Sequence, residues 1–170
     1  MTGRWRLALL LPAALGIMAG CAAGARRVGD ALVIAGKGYR VVPPKGWERI
    51  PSDADVAFHH PGLGAGLMAH GTCEGAAPRR TLPVLARHLR FGLRDVEGLE
   101  EARLEVAGRH GIRSRFTARL DGIPVAVGAV TVQARGCVYD LVVVTPPGRL
   151  AEAAPAFEAF ADSFALMEDR

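Results

Sequence analysis

The stretch that decides the fold is Cys137–Thr145, with the sequence Cys-Val-Tyr-Asp-Leu-Val-Val-Val-Thr, followed directly by Pro146 and Pro147. β-Branched and aromatic residues favour the pleated, half-buried surface of a strand. The two prolines cannot donate hydrogen bonds to a neighbouring strand, so the strand should end before them. Apolar residues occur on both of its faces, which predicts a central strand in a sheet that is covered on at least one side.

The residues before this strand predict that it closes a meander. Residues 112–120 alternate between apolar and mostly basic side chains, as in a strand with one buried face. Asp121-Gly122 is a strong signal for a two-residue hairpin, and Arg135-Gly136 predicts a second turn. We therefore expect three antiparallel strands between Ile112 and Thr145, entered through a turn-rich connection over residues 108–111.

Two amphipathic helices are expected beside the sheet. Residues 81–94 carry leucines at helical spacing, and residues 151–166 carry an apolar stripe that contains three of the six phenylalanines. The fold class is therefore predicted as α+β, with an antiparallel sheet of about six to seven strands flanked by two amphipathic helices. Shorter runs typical of strands lie at residues 32–34, 39–42, 55–60, 66–73 and 104–106.

The chain begins with a pattern typical of an export address. Arg4 and Arg6 precede a short apolar run over residues 7–17, and Met18-Ala19-Gly20 leads into Cys21. The run is too short for a comfortable membrane span and fits a signal peptide. The cysteine after Ala-Gly makes it resemble the bacterial lipoprotein signal, in which that cysteine is acylated with chains such as palmitate. An ordinary secretory signal before a chance cysteine is the alternative.

The predicted anchor is therefore Cys21. Several acyl chains on one residue hold a protein stably on a bilayer. By the rule of that signal class, the absence of an aspartate at position 22 favours the outer membrane, on its periplasmic side. We expect residues 1–20 to be removed, residues 21–30 to form a lipidated tether and residues 31–170 to form one domain.

The charge of the chain argues against nucleic-acid binding. The full sequence has a formal net charge of +4, and removal of residues 1–20 takes away two arginines, which leaves +2 (4 − 2). That balance is too weak for the electrostatic footprint of a nucleic-acid-binding domain. Arg87, Arg90 and Arg94 fall on the side of the first helix opposite its leucines, which indicates a solvated face more than a binding patch.

The order of the elements resembles the PsbP-like fold in its bacterial lipoprotein and periplasmic versions. The resemblance rests on residues 39–47, where a strand enters Pro-x-Gly-Trp, on Val56-Ala57-Phe58 before Pro61, and on a closing Phe-rich helix that ends at Ser163-Phe164. It spans residues 31–167. It implies an antiparallel sheet flanked by helices and a non-enzymatic binding or assembly role, and it lends no site residues.

Cys73 and Cys137 are the cysteines that remain once Cys21 is acylated. An even pair in an exported chain favours a disulfide. The alternative is two free thiols that bind metal or do redox work, and their wide spacing disfavours it.

The histidines offer an alternative function, a periplasmic metal-binding module. His59, His60 and His70, together with Cys73, are ligand types that zinc and copper prefer. Adjacent residues of a strand point to opposite faces, so His59 and His60 do not easily share one ion. We favour ordinary surface or half-buried histidines and expect no metal and no other cofactor.

Asp140 is the one acid inside the apolar strand. A buried carboxylate needs partners, and Arg113, Arg115 and Arg119 on a neighbouring strand offer them. A structural ion pair is therefore favoured over a catalytic acid, and we expect the three arginines to reach Asp140 or other acids and not to form a phosphate cradle. Because no Ser-His-Asp order or nucleophile elbow supports catalysis, we expect a non-catalytic envelope lipoprotein that binds a protein or ligand partner.

Overall fold

The computed structural model describes residues 24–75 and 79–167. Within these ranges the chain forms two antiparallel sheets and two helices. The strands are β1 Arg26–Val28, β2 Ala31–Ile34, β3 Tyr39–Val41, β4 Glu48–Ile50, β5 Val56–His60, β6 Ala65–Thr72, β7 Arg94–Val106, β8 Arg109–Leu120, β9 Ile123–Ala134, β10 Cys137–Thr145 and β11 Ala165–Leu166. The helices are α1 Leu82–His88 and α2 Leu150–Asp162.

The main sheet has seven strands in the order β4-β5-β6-β10-β9-β8-β7. Every neighbouring pair in it is antiparallel. The strand β10 lies at the centre of this sheet, between β6 and β9. The predicted α+β fold class is confirmed, and the meander is one strand longer than expected because β7 joins it.

Two-residue turns connect the four meander strands at Ala107-Gly108, Asp121-Gly122 and Arg135-Gly136. All six of these residues have positive φ, from 48° at Ala107 to 82° at Gly122. Positive φ at both positions is what the hairpin turns that match strand twist require. The first turn therefore overlaps the connection expected over residues 108–111 only at Gly108. Arg109–Gly111 already pair with β7 or β9 as part of β8.

A second, four-stranded sheet has the order β1-β2-β3-β11. It includes residues 26–28, which were expected to belong to the tether, because Arg26, Arg27 and Val28 pair with Val33, Leu32 and Ala31. It also includes the end of the region expected to be helical, since α2 stops at Asp162 and β11 then pairs with β3.

The two faces of the main sheet are covered differently. The inner face packs against α2 and the small sheet, and the largest buried cluster lies between them. The outer face packs against α1, over a smaller cluster that includes Phe116, Val127 and Val142. The helix α1 is shorter than the expected span of residues 81–94, because the chain turns at Gly92 and residues 94–106 pair with β8 instead. No helix in the described ranges combines the length and apolarity needed to cross a membrane.

The main sheet also has two distinct ends. The disulfide end holds the start of β10 at Cys137, the end of β6 and the β9–β10 turn. The hairpin end holds the β8–β9 turn at Asp121-Gly122, the start of β7 and the end of β10.

Candidate functional site

Cys73 and Cys137 form a disulfide at the disulfide end of the main sheet, across a sequence separation of 64. The strands β6 and β10 are adjacent, and Thr72 is opposite Val138. Cys73, which follows Thr72, therefore lies opposite Cys137. The bond therefore joins two neighbouring strands whose sequences are far apart. Because both sulfur atoms are used, neither cysteine offers a thiolate to a metal or a substrate.

A polar network around Asp55 ties the small sheet to the same end of the main sheet. One carboxylate oxygen accepts a hydrogen bond from Nζ of Lys37 at 2.6 Å. The other accepts from the Tyr39 hydroxyl at 2.8 Å and from the backbone N–H of Gly71 at 2.7 Å. Burial, and then the adjacent Asp55 carboxylate, raise the pKa of Tyr39, so its phenol remains a donor. The Tyr139 hydroxyl adds a bond to the carbonyl oxygen of Lys37 at 2.9 Å.

Sequence reasoning missed the Asp55 network. Its only local signal is an acid placed directly before the apolar start of β5 at Val56. The partners Lys37, Tyr39 and Gly71 come from other strands and turns, and only the packing of the two sheets brings them to this carboxylate.

Asp140 lies in the middle of β10, on the outer face, and is partly buried. Its Oδ1 accepts a hydrogen bond from the Thr131 hydroxyl of β9 at 2.8 Å. Removal from water raises the pKa of Asp140 to about 6, and the hydrogen bond from Thr131 acts in the opposite direction. His70 of β6 is directly opposite Asp140, so the three residues form a row across three strands, called here the Asp140 row.

The ion pair expected between Asp140 and the arginines of β8 is not formed. Asp140 is opposite Thr131, and Thr131 is opposite Ile112, so these three side chains share the outer face. Side chains alternate along a strand, which directs the three arginines of β8 to the inner face. The expectation was wrong because it considered which strands are neighbours and not which face each residue occupies.

The three arginines bind other acids. Arg113 and Arg115 both bind the carboxylate of Glu158 on α2, the latter at 3.3 Å. Arg119 lies 3.3 Å from the carboxylate of Asp95 at the start of β7. Each of the three guanidinium groups is therefore paired with a carboxylate of the same chain, and the three do not form a shared anion-binding site.

The histidines are placed apart. His60 packs edge-on against Trp47, with ring centroids 5.5 Å apart, while His59 points to the other face of β5. His70 is opposite Asp140 in the backbone register, and its Nδ1 lies 3.8 Å from Oδ1 of Asp55. Within residues 24–75 and 79–167, no three His, Cys, Asp or Glu side chains are positioned to hold a metal ion. Since Cys73 is also in a disulfide, the ligand set behind the metal-binding alternative does not assemble.

The Asp140 row is the group of residues that a catalytic or cation-binding role would use. The helix α1 covers β8 and β9, whereas Met68, His70 and Asp140 remain half-buried beside it. A carboxylate that forms no ion pair with a described cationic side chain attracts a positively charged group. The Thr131 hydroxyl that contacts it is only 1% exposed, so it cannot reach a substrate as a nucleophile. The row is therefore suited to binding a cation or exchanging a proton.

Two predicted features, the signal over residues 1–20 and the acylated Cys21, lie outside the described residues. The same holds for the first part of the expected tether, up to residue 23.

Comparison with known proteins defines the class as a PsbP-like α+β domain. No family model and no curated protein sequence matches the chain. Cyanobacterial PsbP (CyanoP) from Synechocystis sp. PCC 6803 has a similar structure, with a TM-score of 0.51 and 17% identity over 89% of this chain and 98% of CyanoP. The expected resemblance to the PsbP-like fold is thus confirmed at the level of structure.

Two further solved structures are similar. LpqN of Mycobacterium tuberculosis, described as involved in cell envelope biogenesis, gives a TM-score of 0.59 at 14% identity, over 76% of this chain and 83% of LpqN. A protein of Bacteroides thetaiotaomicron gives 0.57 at 7% identity over 78% of this chain, which spans about half of that protein (46%). Identities this low establish a shared fold and carry no site residues across.

Proposed function

We propose that the protein is an envelope lipoprotein, acylated at Cys21 and held on the periplasmic side of the outer membrane, with a non-catalytic binding or assembly role. The lipoprotein-type signal before Cys21 supports the address. The Cys73–Cys137 disulfide supports export, because structural disulfides persist in oxidising compartments. The fold shared with LpqN, which is involved in envelope biogenesis, is consistent with this role.

The observation that carries the non-catalytic role is the use the chain makes of its own acids. Asp55 accepts three hydrogen bonds, Glu158 binds two arginines, and Asp140 accepts from a buried hydroxyl. These carboxylates hold sheets, strands and a helix together. Such contacts favour a domain that acts by presenting a rigid surface, for which the partner determines the function.

The anchor is tested by Cys21→Ser, with Ala23→Ser as the matched control. Cells that express each full-length chain are given labelled palmitate, and membrane and soluble fractions are compared. We expect the wild type and Ala23→Ser to carry label and to sediment with membranes, and Cys21→Ser to do neither. Equal label in Cys21→Ser and the wild type would refute the anchor.

The non-catalytic role is tested by complementation of a deletion strain. We expect Asp140→Asn to restore the wild-type phenotype in full, because the amide keeps the shape of the side chain and its acceptor for Thr131. If Asp140→Asn reaches wild-type protein levels and fails to complement, a chemical role of the carboxylate replaces the binding proposal.

A further inference from the structure

Exposed apolar side chains gather towards the hairpin end of the main sheet. Phe91, in the segment after α1, is 91% exposed, and Ile123, at the start of β9, is 65% exposed. Leu120, Val96 and Leu99 lie in the same part of the meander, so this region holds five of the eight large apolar side chains that are exposed within residues 24–75 and 79–167. An exposed apolar cluster of this kind marks an interaction surface.

The surface around Phe91 is basic. The sequence from Gly75 to Arg94 contains five arginines and no acid. Arg87, His88 and Arg90, together with Phe91, line a shallow concavity of about 290 Å³. Arg90 is held by Glu101 at 2.7 Å, whereas Arg87 and Arg94 form no ion pair with another described residue. We call the group Arg87, His88, Phe91 and Arg94 the Phe91 patch.

The Phe91 patch and the first described residues lie on opposite faces of the main sheet. Arg26 pairs with Val33, next to the β2–β3 turn, and Lys37 of that turn packs at Gly71 on the disulfide end. The patch follows α1, on the opposite face of the main sheet and towards its other end. Arg90, which lines the same concavity as Phe91, contacts Glu101, and Glu101 pairs with Ser114 near the middle of β8, roughly 17 Å from the disulfide end at about 3.3 Å per residue.

The reach of the tether decides between a lipid surface and a protein as the occupant. Gly24 is three residues after Cys21, a distance of at most about 11 Å in extended chain. An acyl anchor at Cys21 would therefore hold the bilayer beside the disulfide end, and the Phe91 patch would face away from it. Aromatic side chains and arginine are also the residues enriched at the centres of protein interfaces.

We propose that the Phe91 patch docks an acidic segment of a protein partner, with an apolar side chain of that segment seated against the Phe91 ring. This inference rests on the binding role proposed above and names its surface and the chemistry of its partner. Carboxylates of the partner pair with the two arginines that have no acid in the described chain, which gives both orientation and speed of association.

The test is site-specific photocrosslinking in cells that express the full-length chain. A photoreactive phenylalanine analogue replaces Phe91, and the matched control places it at Val28, an exposed apolar position of β1. We expect a protein adduct from position 91 and none from position 28. Arg87→Glu combined with Arg94→Glu should reduce the adduct at least about tenfold, while Arg26→Glu combined with Arg27→Glu should leave it within about twofold.

The crosslinked peptide of the partner completes the test. We expect acids next to the crosslinked apolar residue, and their replacement by lysine should restore crosslinking to the chain with the two reversed arginines. The proposal would be overturned by a phospholipid adduct or by the absence of a protein adduct at position 91. It would also be overturned by an equal adduct at position 28, or by an adduct yield that does not change when the two arginines are replaced by glutamate. Cys21→Ser in the same cells separates the hypotheses, because equal palmitate label in this variant and the wild type, together with a retained adduct, refutes the anchor and keeps the docking surface.

Discussion

The two ends of the main sheet are built in opposite ways. At the disulfide end, a covalent bond joins β6 to β10, and Asp55 joins the small sheet to the main sheet through three hydrogen bonds. At the hairpin end, Phe91 and Ile123 are exposed, and Arg87 and Arg94 have no acid partner within the described chain. The disulfide end binds the Asp55 carboxylate and the Tyr39 hydroxyl within the chain, whereas the hairpin end leaves two large apolar side chains exposed.

This difference indicates where stability and recognition are located. Internal satisfaction of polar groups fixes a fold, whereas open apolar and charged groups are available to a partner. Substitutions at the disulfide end should therefore change the free energy of unfolding, and substitutions at the hairpin end should change binding with little effect on folding. The predictions below test this division, from the largest expected change in stability to the smallest.

Replacement of both disulfide cysteines should have the largest effect. Cys73→Ser with Cys137→Ser removes the constraint across 64 residues and should lower the free energy of unfolding by about 2–5 kcal/mol. Urea denaturation followed by tryptophan fluorescence measures the change, with chemically reduced wild type as the control, which should show the same loss. Two free thiols from Cys73 and Cys137 in the denatured, unreduced wild type would contradict the disulfide itself.

Substitution of Asp55 should have the next largest effect. Asp55→Asn removes the charge that strengthens its bonds to Lys37 and Tyr39, and its amide cannot accept at both positions. A loss of about 2–4 kcal/mol in the free energy of unfolding is expected. Asp95→Asn is the matched control at the hairpin end, because its contact to Arg119 is exposed and should be worth less than about 1 kcal/mol. Equal losses from the two variants would refute the division between the ends.

The sequence was most informative where local chemistry and tertiary position agree. The apolar run of β10 and the Asp121-Gly122 turn predicted a central strand and a hairpin, and both occur. The helix over residues 81–94 was predicted too long because its last third has polar and apolar residues compatible with either structure. Residues 89–93 form turns, and pairing with β8 begins at Arg94. β7 is almost entirely exposed, so it lacks the alternation that identifies a strand.

The candidate site was less accessible to sequence reasoning. The apolar neighbours of Asp140 in the sequence indicate that this acid is unusual. Its partner depends on the register of β9 and β10, which places Thr131 and not an arginine beside it. The Asp55 network joins residues from separate turns and strands and requires the two sheets to be packed first. The exposure of Phe91 was likewise hidden, since a phenylalanine next to a leucine-rich helix is ordinarily part of the core.

Substitution of Asp140 should increase the free energy of unfolding. Asp140 lies in the middle of β10, between the two ends of the main sheet, so it extends the comparison of those ends. Its pKa in the folded protein is about 6, above the ordinary value of 3.8, so the folded state holds the proton more tightly than the unfolded state. Its contribution to stability is therefore full below pH 3.8 and is lost as the pH rises through 6. At pH 7, Asp140→Asn should raise the free energy of unfolding by about 1–3 kcal/mol.

The pH dependence provides the check on Asp140. The advantage of Asp140→Asn over the wild type should shrink between pH 7 and pH 4, as measured by urea denaturation at each pH. Glu152→Gln, on the exposed first turn of α2, is the control and should show little such dependence. A destabilised variant at pH 7 would show that the carboxylate has a cationic partner in solution, and an advantage that is constant with pH would show that ionisation of Asp140 is not its cause.

Substitution of the exposed aromatic residue should have the smallest effect on stability. Phe91→Ser removes a ring that is 91% exposed, so hardly any burial is lost, and the free energy of unfolding should change by less than about 0.5 kcal/mol. Phe160→Ala on α2 is the contrasting control, because this ring is fully buried and its removal should lower the free energy of unfolding by about 3–5 kcal/mol. If Phe91→Ser lowers the free energy of unfolding by more than about 1 kcal/mol, the ring is buried in the folded monomer. Phe91 would then belong to the hydrophobic core and not to a binding surface. If Phe91→Ser leaves the free energy of unfolding unchanged and abolishes binding of the partner, the exposed ring functions in recognition.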